Sequence, residues 1–132
     1  MPHFLSSLLL DPRLNKLRYG AAIFLFLAIV AGGSIPGARA DIGHYASGVV
    51  LHSSAYAVLA LLWFTASRGS AASRTVATVL AIAVMGAIDE SVQSFFPYRG
   101  ADVRDWMVDC SAAVAVSAIL WLVLPKAALQ RG

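Results

Sequence analysis

The sequence predicts an all-α polytopic membrane protein: one membrane domain over residues 1–132, a bundle of four transmembrane helices, with the N- and C-termini cytoplasmic. Three observations carry that expectation. Hydrophobic residues make up 59% of the chain and charged residues 13%, about half the charged share of a soluble domain. Four apolar stretches approach the ~20 residues that a helix needs to cross a hydrocarbon core. Lysine and arginine, finally, are divided unequally between alternate connections.

The elements follow in order. Residues 1–16 precede the first apolar run, with Asp11-Pro12 as a helix-start signal. The first span covers about 17–32 and fades into Gly33-Ser34-Ile35-Pro36-Gly37, a loop by its glycine and proline content. The second covers about 45–66 and leads into the polar connection from Ser67 to Arg74. A third, about 75–96, is ended by Pro97, and a fourth, about 103–124, by Pro125. A helix satisfies its own backbone in lipid and an open strand does not, so the spans are read as helices. The first has a rival reading. Lys16 and Arg18, an apolar run and then Ala38-Arg39-Ala40 also resemble a secretory leader with its cleavage site.

Seven of the ten basic residues fall in the N-terminal segment, the Arg68/Arg74 connection and the C-terminal tail. Six of the seven acids fall at the opposite face, where Asp11 is the exception. By the positive-inside rule both termini are cytoplasmic. The formal charge of +3 does not indicate a nucleic-acid partner, because the bases are scattered singly beside apolar runs. Cys110 is the one cysteine, which excludes an intramolecular disulfide and a cysteine-rich metal site. Trp63, Trp106 and Trp121 sit near span ends, as an interfacial aromatic belt would.

Five of the seven acids lie between Met85 and Cys110, at the end of one apolar run and the start of the next. Carboxylates in or beside a bilayer are costly and rarely lack a role. His52 lies seven residues into the second span, which is roughly 10 Å at the rise of a helix. Asp89, Glu90 and Asp109 fall at similar depth in the third and fourth. Helical spacing groups Asp89, Glu90 and Gln93 on one surface, His52 with Tyr56 on another, and Asp102, Asp105 and Asp109 on a third. If each polar face turns inward, they converge on one pocket open to the outside. Arg99, in the loop after Pro97, is the natural electrostatic partner, with Arg104 second. Plainer readings stand beside these. His52 could serve an interhelical hydrogen bond, Asp102 and Asp105 could start the fourth helix, and an Arg99–Glu90 pair could be a structural clamp.

These residues resemble the VanZ-like family of small bacterial membrane proteins. The resemblance covers about 45–124 and rests on His52 and Tyr56, then Glu90, Gln93, Pro97, Arg99 and Asp105, with Asp89 as the frequent preceding acid. The chain departs from the pattern at Gly48-Val49, where Asp-Lys is common, at Asp109, where Asn is usual, and at Ala112 or Ala113, where Gly is common. The resemblance implies a cell-envelope role in the bacterial cytoplasmic (inner) membrane, in a family named for glycopeptide, specifically teicoplanin, antibiotic resistance.

Three functions compete. In the first, a non-enzymatic envelope factor binds a lipid-linked precursor, a lipoglycopeptide or another amphiphile. Arg99 would hold an anionic headgroup, and His52, Glu90, Gln93, Tyr56, Asp89 and Asp105 would hold its polar parts. In the second, a membrane-embedded enzyme acts on a lipid-linked phosphate or sugar, with Glu90 as base, His52 as acid or relay and Arg99 on the oxyanion. One variant places a divalent metal between Glu90, Asp109 and His52; no other cofactor is expected. No reaction-defining motif is present. The third, an ion-coupled carrier that would need an oligomer, lacks an inverted repeat and ranks last.

Overall fold

Residues 2–38 and 48–130 are described by a computed structural model. Helix α1 (Pro2–Leu10) and a 3-10 turn (Pro12–Leu14) lead into α2 (Asn15–Gly33). Then come α3 (Gly48–Ala66), α4 (Ala71–Ser94), α5 (Val103–Val123) and the short α6 (Lys126–Leu129). Among the described residues there is no strand, and four helices, α2 to α5, are long and apolar enough to cross a membrane. Their 19 to 24 residues give lengths of about 28–36 Å, against a hydrocarbon core of ~30 Å.

Helix ends obey local chemistry. Asp11 accepts a hydrogen bond from the Arg13 N–H at 2.9 Å, and Pro12 pre-sets the first turn, so the first helical run starts several residues before Leu17. Helix α4 starts at Ala71 rather than Thr75, because Ser70 Oγ caps it by accepting from the Ser73 N–H at 3.2 Å. It stops at Ser94, since the residue before Pro97 is driven out of helical geometry. Asp102 caps α5 by accepting from the Arg104 N–H at 2.8 Å. Leu124 turns extended ahead of Pro125. The expected second-span start at Tyr45, and the Arg39-Ala40 part of the leader-like pattern, lie outside the described residues.

Each span buries one stripe at helical spacing. On α5 it is Asp105, Asp109, Ala113, Ser117 and Leu120; on α4 it runs from Arg74 through Thr78, Ile82 and Gly86 to Asp89 and Gln93. The outward faces carry Phe24, Leu80, Val84 and Leu122, all largely exposed. Polar groups lie inside and apolar ones outside, the arrangement that a lipid solvent demands. The most extensive contacts are α3 with α5, α4 with α5, and α2 with α3. Ala22 and Phe26 of α2 join Tyr56, Leu59, Ile82, Met85 and Ala113 in the central core.

At the end of the bundle near the termini, two arginines are buried. Arg18 donates to the carbonyls of Leu8 (2.8 Å), Thr65 (3.1 Å) and Asp11 (3.2 Å) and to Asn15 Oδ1 (3.0 Å). Arg74, 1% exposed, donates from Nε to Gly69 O at 3.0 Å and from Nη1 to Phe64 O at 3.3 Å. Each therefore takes one free carbonyl in the last turn of α3, where positive charge also meets the negative end of the helix dipole. Hydrogen bonds to charged groups contribute about 1.5–3 kcal/mol. Arg74→Met is expected to lower stability by about 2–3 kcal/mol in mixed-micelle unfolding, whereas Arg68→Met, at an exposed position, is expected to stay within about 0.5 kcal/mol.

Candidate functional site

The polar residues of α3, α4 and α5 meet at the other end of the bundle. Helix α3 presents His52 and Tyr56 one turn apart, with their rings parallel and centroids 6.0 Å apart. Tyr56, fully buried, donates its hydroxyl to Asp89 Oδ2 at 3.1 Å. Asp89 Oδ1 accepts from Gln93 Nε2 at 2.9 Å, one turn along α4. Gln93 Oε1 accepts in turn from Arg99 Nη2 at 2.7 Å. Only one orientation of the Gln93 amide serves both neighbours, because a carboxylate accepts and a guanidinium donates. Arg99 Nη1 then reaches Gly33 O at 2.8 Å, and Tyr98 donates to Ser34 O at 2.6 Å. The chain Tyr56–Asp89–Gln93–Arg99 thus ties α3, α4 and the following loop to the end of α2. Gly33 permits the close approach, since a Cβ there would lie 3.3 Å from Arg99 Nη1.

Beside this chain lies a cavity of about 240 Å³ between α2, α3 and α4. Its polar wall is His52, Tyr56, Asp89, Gln93 and Arg99, and its apolar wall is mainly Ala28, Ile29, Leu51 and Ala55. The volume falls below the ~300 Å³ at which drug-sized pockets begin. It suits a headgroup or one segment of an amphiphile. Arg99 Nε is buried and has no hydrogen-bond partner among the described residues.

The remaining acids lie outside this cavity, where α5 meets α3 and α4. Asp109, fully buried, meets His52 Nδ1 through Oδ1 at 3.0 Å. Asp105 Oδ2 lies 3.6 Å from His52 Nε2. The imidazole is therefore held between two carboxylates one turn apart on α5. Glu90 Oε2 accepts from the Asp102 N–H at 2.7 Å, bonding α4 to the first turn of α5. Its Oε1 is buried without a partner among the described residues, as is Asp109 Oδ2; leaving such an atom unpaired costs about 1–3 kcal/mol or more. His52, Glu90 and Asp105 each offer one atom within 4.8 Å of the others, a spacing compatible with a shared metal ion.

The expected residues come together as two linked halves rather than one pocket. His52, Tyr56, Asp89, Gln93 and Arg99 line the cavity, whereas Glu90, Asp105 and Asp109 do not. Asp89 and Glu90 do not share a surface, because adjacent helical residues point ~100° apart. Arg99 bonds Gln93 and Gly33 instead of Glu90, so the anticipated Arg99–Glu90 clamp is replaced by a Glu90–Asp102 one. In the metal-compatible group Asp105 takes the place expected for Asp109. Arg104 is exposed, and Asp102 starts α5. Sequence reasoning missed Gly33, Ser34, Tyr98 and Gly86. Trp106, read as an interfacial anchor, donates its indole N–H to Ala83 O of α4 at 2.9 Å.

A family model described as VanZ/LLP1 matches residues 14–124, from the start of α2 to the end of α5. That extent takes in the first span, which the resemblance over 45–124 left out. No curated protein and no solved structure matches the chain.

Gly86 gives this half of the site its sharpest test. A Cβ there would lie 3.0 Å from Asp109 Oδ2 and 3.1 Å from Trp106 Cδ1. Neither neighbour can yield easily, since His52 holds one and Ala83 O the other. Gly86→Ala is expected to cost about 1–3 kcal/mol by overpacking. Gly20→Ala, which meets nothing within 4 Å, is expected to be neutral or mildly stabilising in the same unfolding assay.

Proposed function

This chain belongs to the VanZ/LLP1 family, and on that premise we propose that it is a cell-envelope protein of the bacterial cytoplasmic (inner) membrane whose cavity binds the anionic headgroup of an envelope lipid or amphiphile. The cavity end faces outward and both termini lie in the cytoplasm, as the distribution of bases favours. The observation that carries this reading is Arg99. It stands at a cavity with one apolar wall, its bonded partners are the neutral Gln93 and Gly33 carbonyls, and its Nε is unpaired. A planar guanidinium in that setting is suited to a phosphate or carboxylate. Tyr56, Asp89 and Gln93 form a polar wall for the neutral parts of the headgroup. Occupancy of such a site by a lipid-linked precursor or a lipoglycopeptide would alter susceptibility to teicoplanin-type glycopeptides.

Two measurements test this. Protein in nanodiscs of phosphatidylcholine with phosphatidylglycerol is expected to retain phosphatidylglycerol selectively in native mass spectrometry. Arg99→Ala should weaken that retention at least about tenfold, in line with the 1.5–3 kcal/mol of a charge-assisted bond. A host carrying the protein should differ from one without it in teicoplanin sensitivity, and the difference should vanish in Arg99→Ala. Absence of both effects would overturn the reading.

One observation favours a second reading, a membrane-embedded enzyme acting on a lipid-linked phosphate or sugar. The bond between His52 Nδ1 and the buried Asp109 is the geometry that orients an imidazole for acid–base work. Turnover of such a lipid by purified protein, lost in His52→Gln and Glu90→Gln with the fold retained, would decide for it.

A further inference from the structure

The half of the site between α4 and α5 is built differently from the cavity, and only His52 is common to both. The geometry points to a divalent transition-metal site in which His52 Nε2, Asp105 and Glu90 are the ligands and Asp109 is the carboxylate behind the imidazole. Four features of different kinds support it.

First, the three side chains come from three helices, α3, α4 and α5, and their ligand atoms lie within 4.8 Å of one another. Ligand atoms ~2.1 Å from a tetrahedral ion stand roughly 3.4 Å apart, so closure draws the widest of these spacings in by more than about an ångström. Second, Glu90 is 7% exposed, and its two oxygens are used unequally. Oε2 is occupied by the Asp102 N–H at 2.7 Å, which fixes the carboxylate plane, while Oε1 is buried with no partner. A buried, oriented carboxylate oxygen with no partner among the described residues is available to a cation.

Third, the 3.6 Å between His52 Nε2 and Asp105 Oδ2 is long for a hydrogen bond and ordinary for two atoms sharing a cation. Fourth, His52 Nδ1 meets Asp109 Oδ1 at 3.0 Å. Metal-binding histidines almost always donate their second ring N–H to a carboxylate or carbonyl, which fixes the tautomer and turns the other nitrogen's lone pair toward the metal. Asp109 is fully buried and wedged over Gly86, so this partner is rigid. The imidazole favours Zn²⁺ over Mg²⁺ and Ca²⁺, and the two carboxylates also admit Mn²⁺. Three protein ligands leave a position for water or a ligand oxygen, the pattern of reactive rather than purely structural sites.

The experiment uses the full chain in detergent, stripped with chelator, loaded with Zn²⁺ or Mn²⁺, desalted and assayed by elemental analysis and chelator competition. Wild-type protein should retain about one ion per chain. Glu90→Gln and Asp105→Asn, which preserve shape, should each lose affinity by about a hundredfold or more, and Asp109→Asn by about 10–100-fold. Wild-type protein that keeps no metal, or folded variants that keep it as well as wild type, would overturn the site; the latter result would mean adventitious binding. Should the variants fail to fold, Co²⁺-loaded wild type decides. Intense visible bands of a four- or five-coordinate histidine-bound ion support the site, and the weak spectrum of hydrated Co²⁺ overturns it. No lipid enters these measurements, so their failure would leave the cavity's headgroup reading intact.

Discussion

The structure depends on keeping the carboxylates of α4 and α5 out of hydrocarbon. Asp89, Glu90, Asp105 and Asp109 sit in helices whose other faces are apolar and exposed, so each helix can turn only one way in a bilayer. A charged group facing lipid costs at least ~2.5 kcal/mol even by insertion scales, more than most single packing contacts return. The polar stripes therefore fix the rotation of α4 and α5, and α3 is fixed by what it brings to them. His52 takes Asp105 and Asp109, and Tyr56 takes Asp89. Asp89 and Glu90 are neighbours on one helix yet serve opposite partners. Because they diverge by ~100°, α4 binds α3 with one and α5 with the other.

Much of this was legible in the chain. Composition and the length of the apolar runs gave four spanning helices, and i,i+4 spacing paired His52 with Tyr56 and Asp105 with Asp109. Similar depth in three helices anticipated that they meet. Spacing assigns residues to a face of their own helix, but it does not say which neighbour that face addresses. That is why Glu90 was grouped with Asp89 and Gln93, and why Arg99 was paired with Glu90. The adjacency of Asp89 and Glu90 was itself a readable signal for two faces. Gly33 and Gly86 were not legible, since a glycine in an apolar helix carries no mark of the side chain pressed against it. Nor were the buried roles of Arg18 and Arg74, which look in sequence like ordinary basic flanks.

Those two arginines give the bundle a second polar layer at its other end. There the burden is uncapped carbonyls, with Phe64 O and Thr65 O at the end of α3 taken by Arg74 and Arg18. Cations close one end and anions crowd the other, with Leu59, Ile82, Met85 and Ala113 packed between. The same helix, α3, is the hub of both layers. Its polar contacts set depth, which apolar packing against lipid-like surfaces leaves undetermined.

Helix α2 stands apart from this scheme and so makes the cavity. It packs chiefly on α3, and it brings no ionisable side chain to the acidic layer. Its ends are tied by bonds to carbonyls, through Arg18 to Thr65 O at one end and through Gly33 O and Ser34 O to Arg99 and Tyr98 at the other. Facing the polar wall between those ties it offers Ala28, Ile29, Gly32 and Gly33, mostly residues too small to fill the space. A helix clamped at both ends but thin over its last two turns leaves room that close packing would otherwise remove. The void falls beside Arg99 because the small residues are there. The unfilled volume thus arises from the absence of bulk at the end of α2 that meets Arg99.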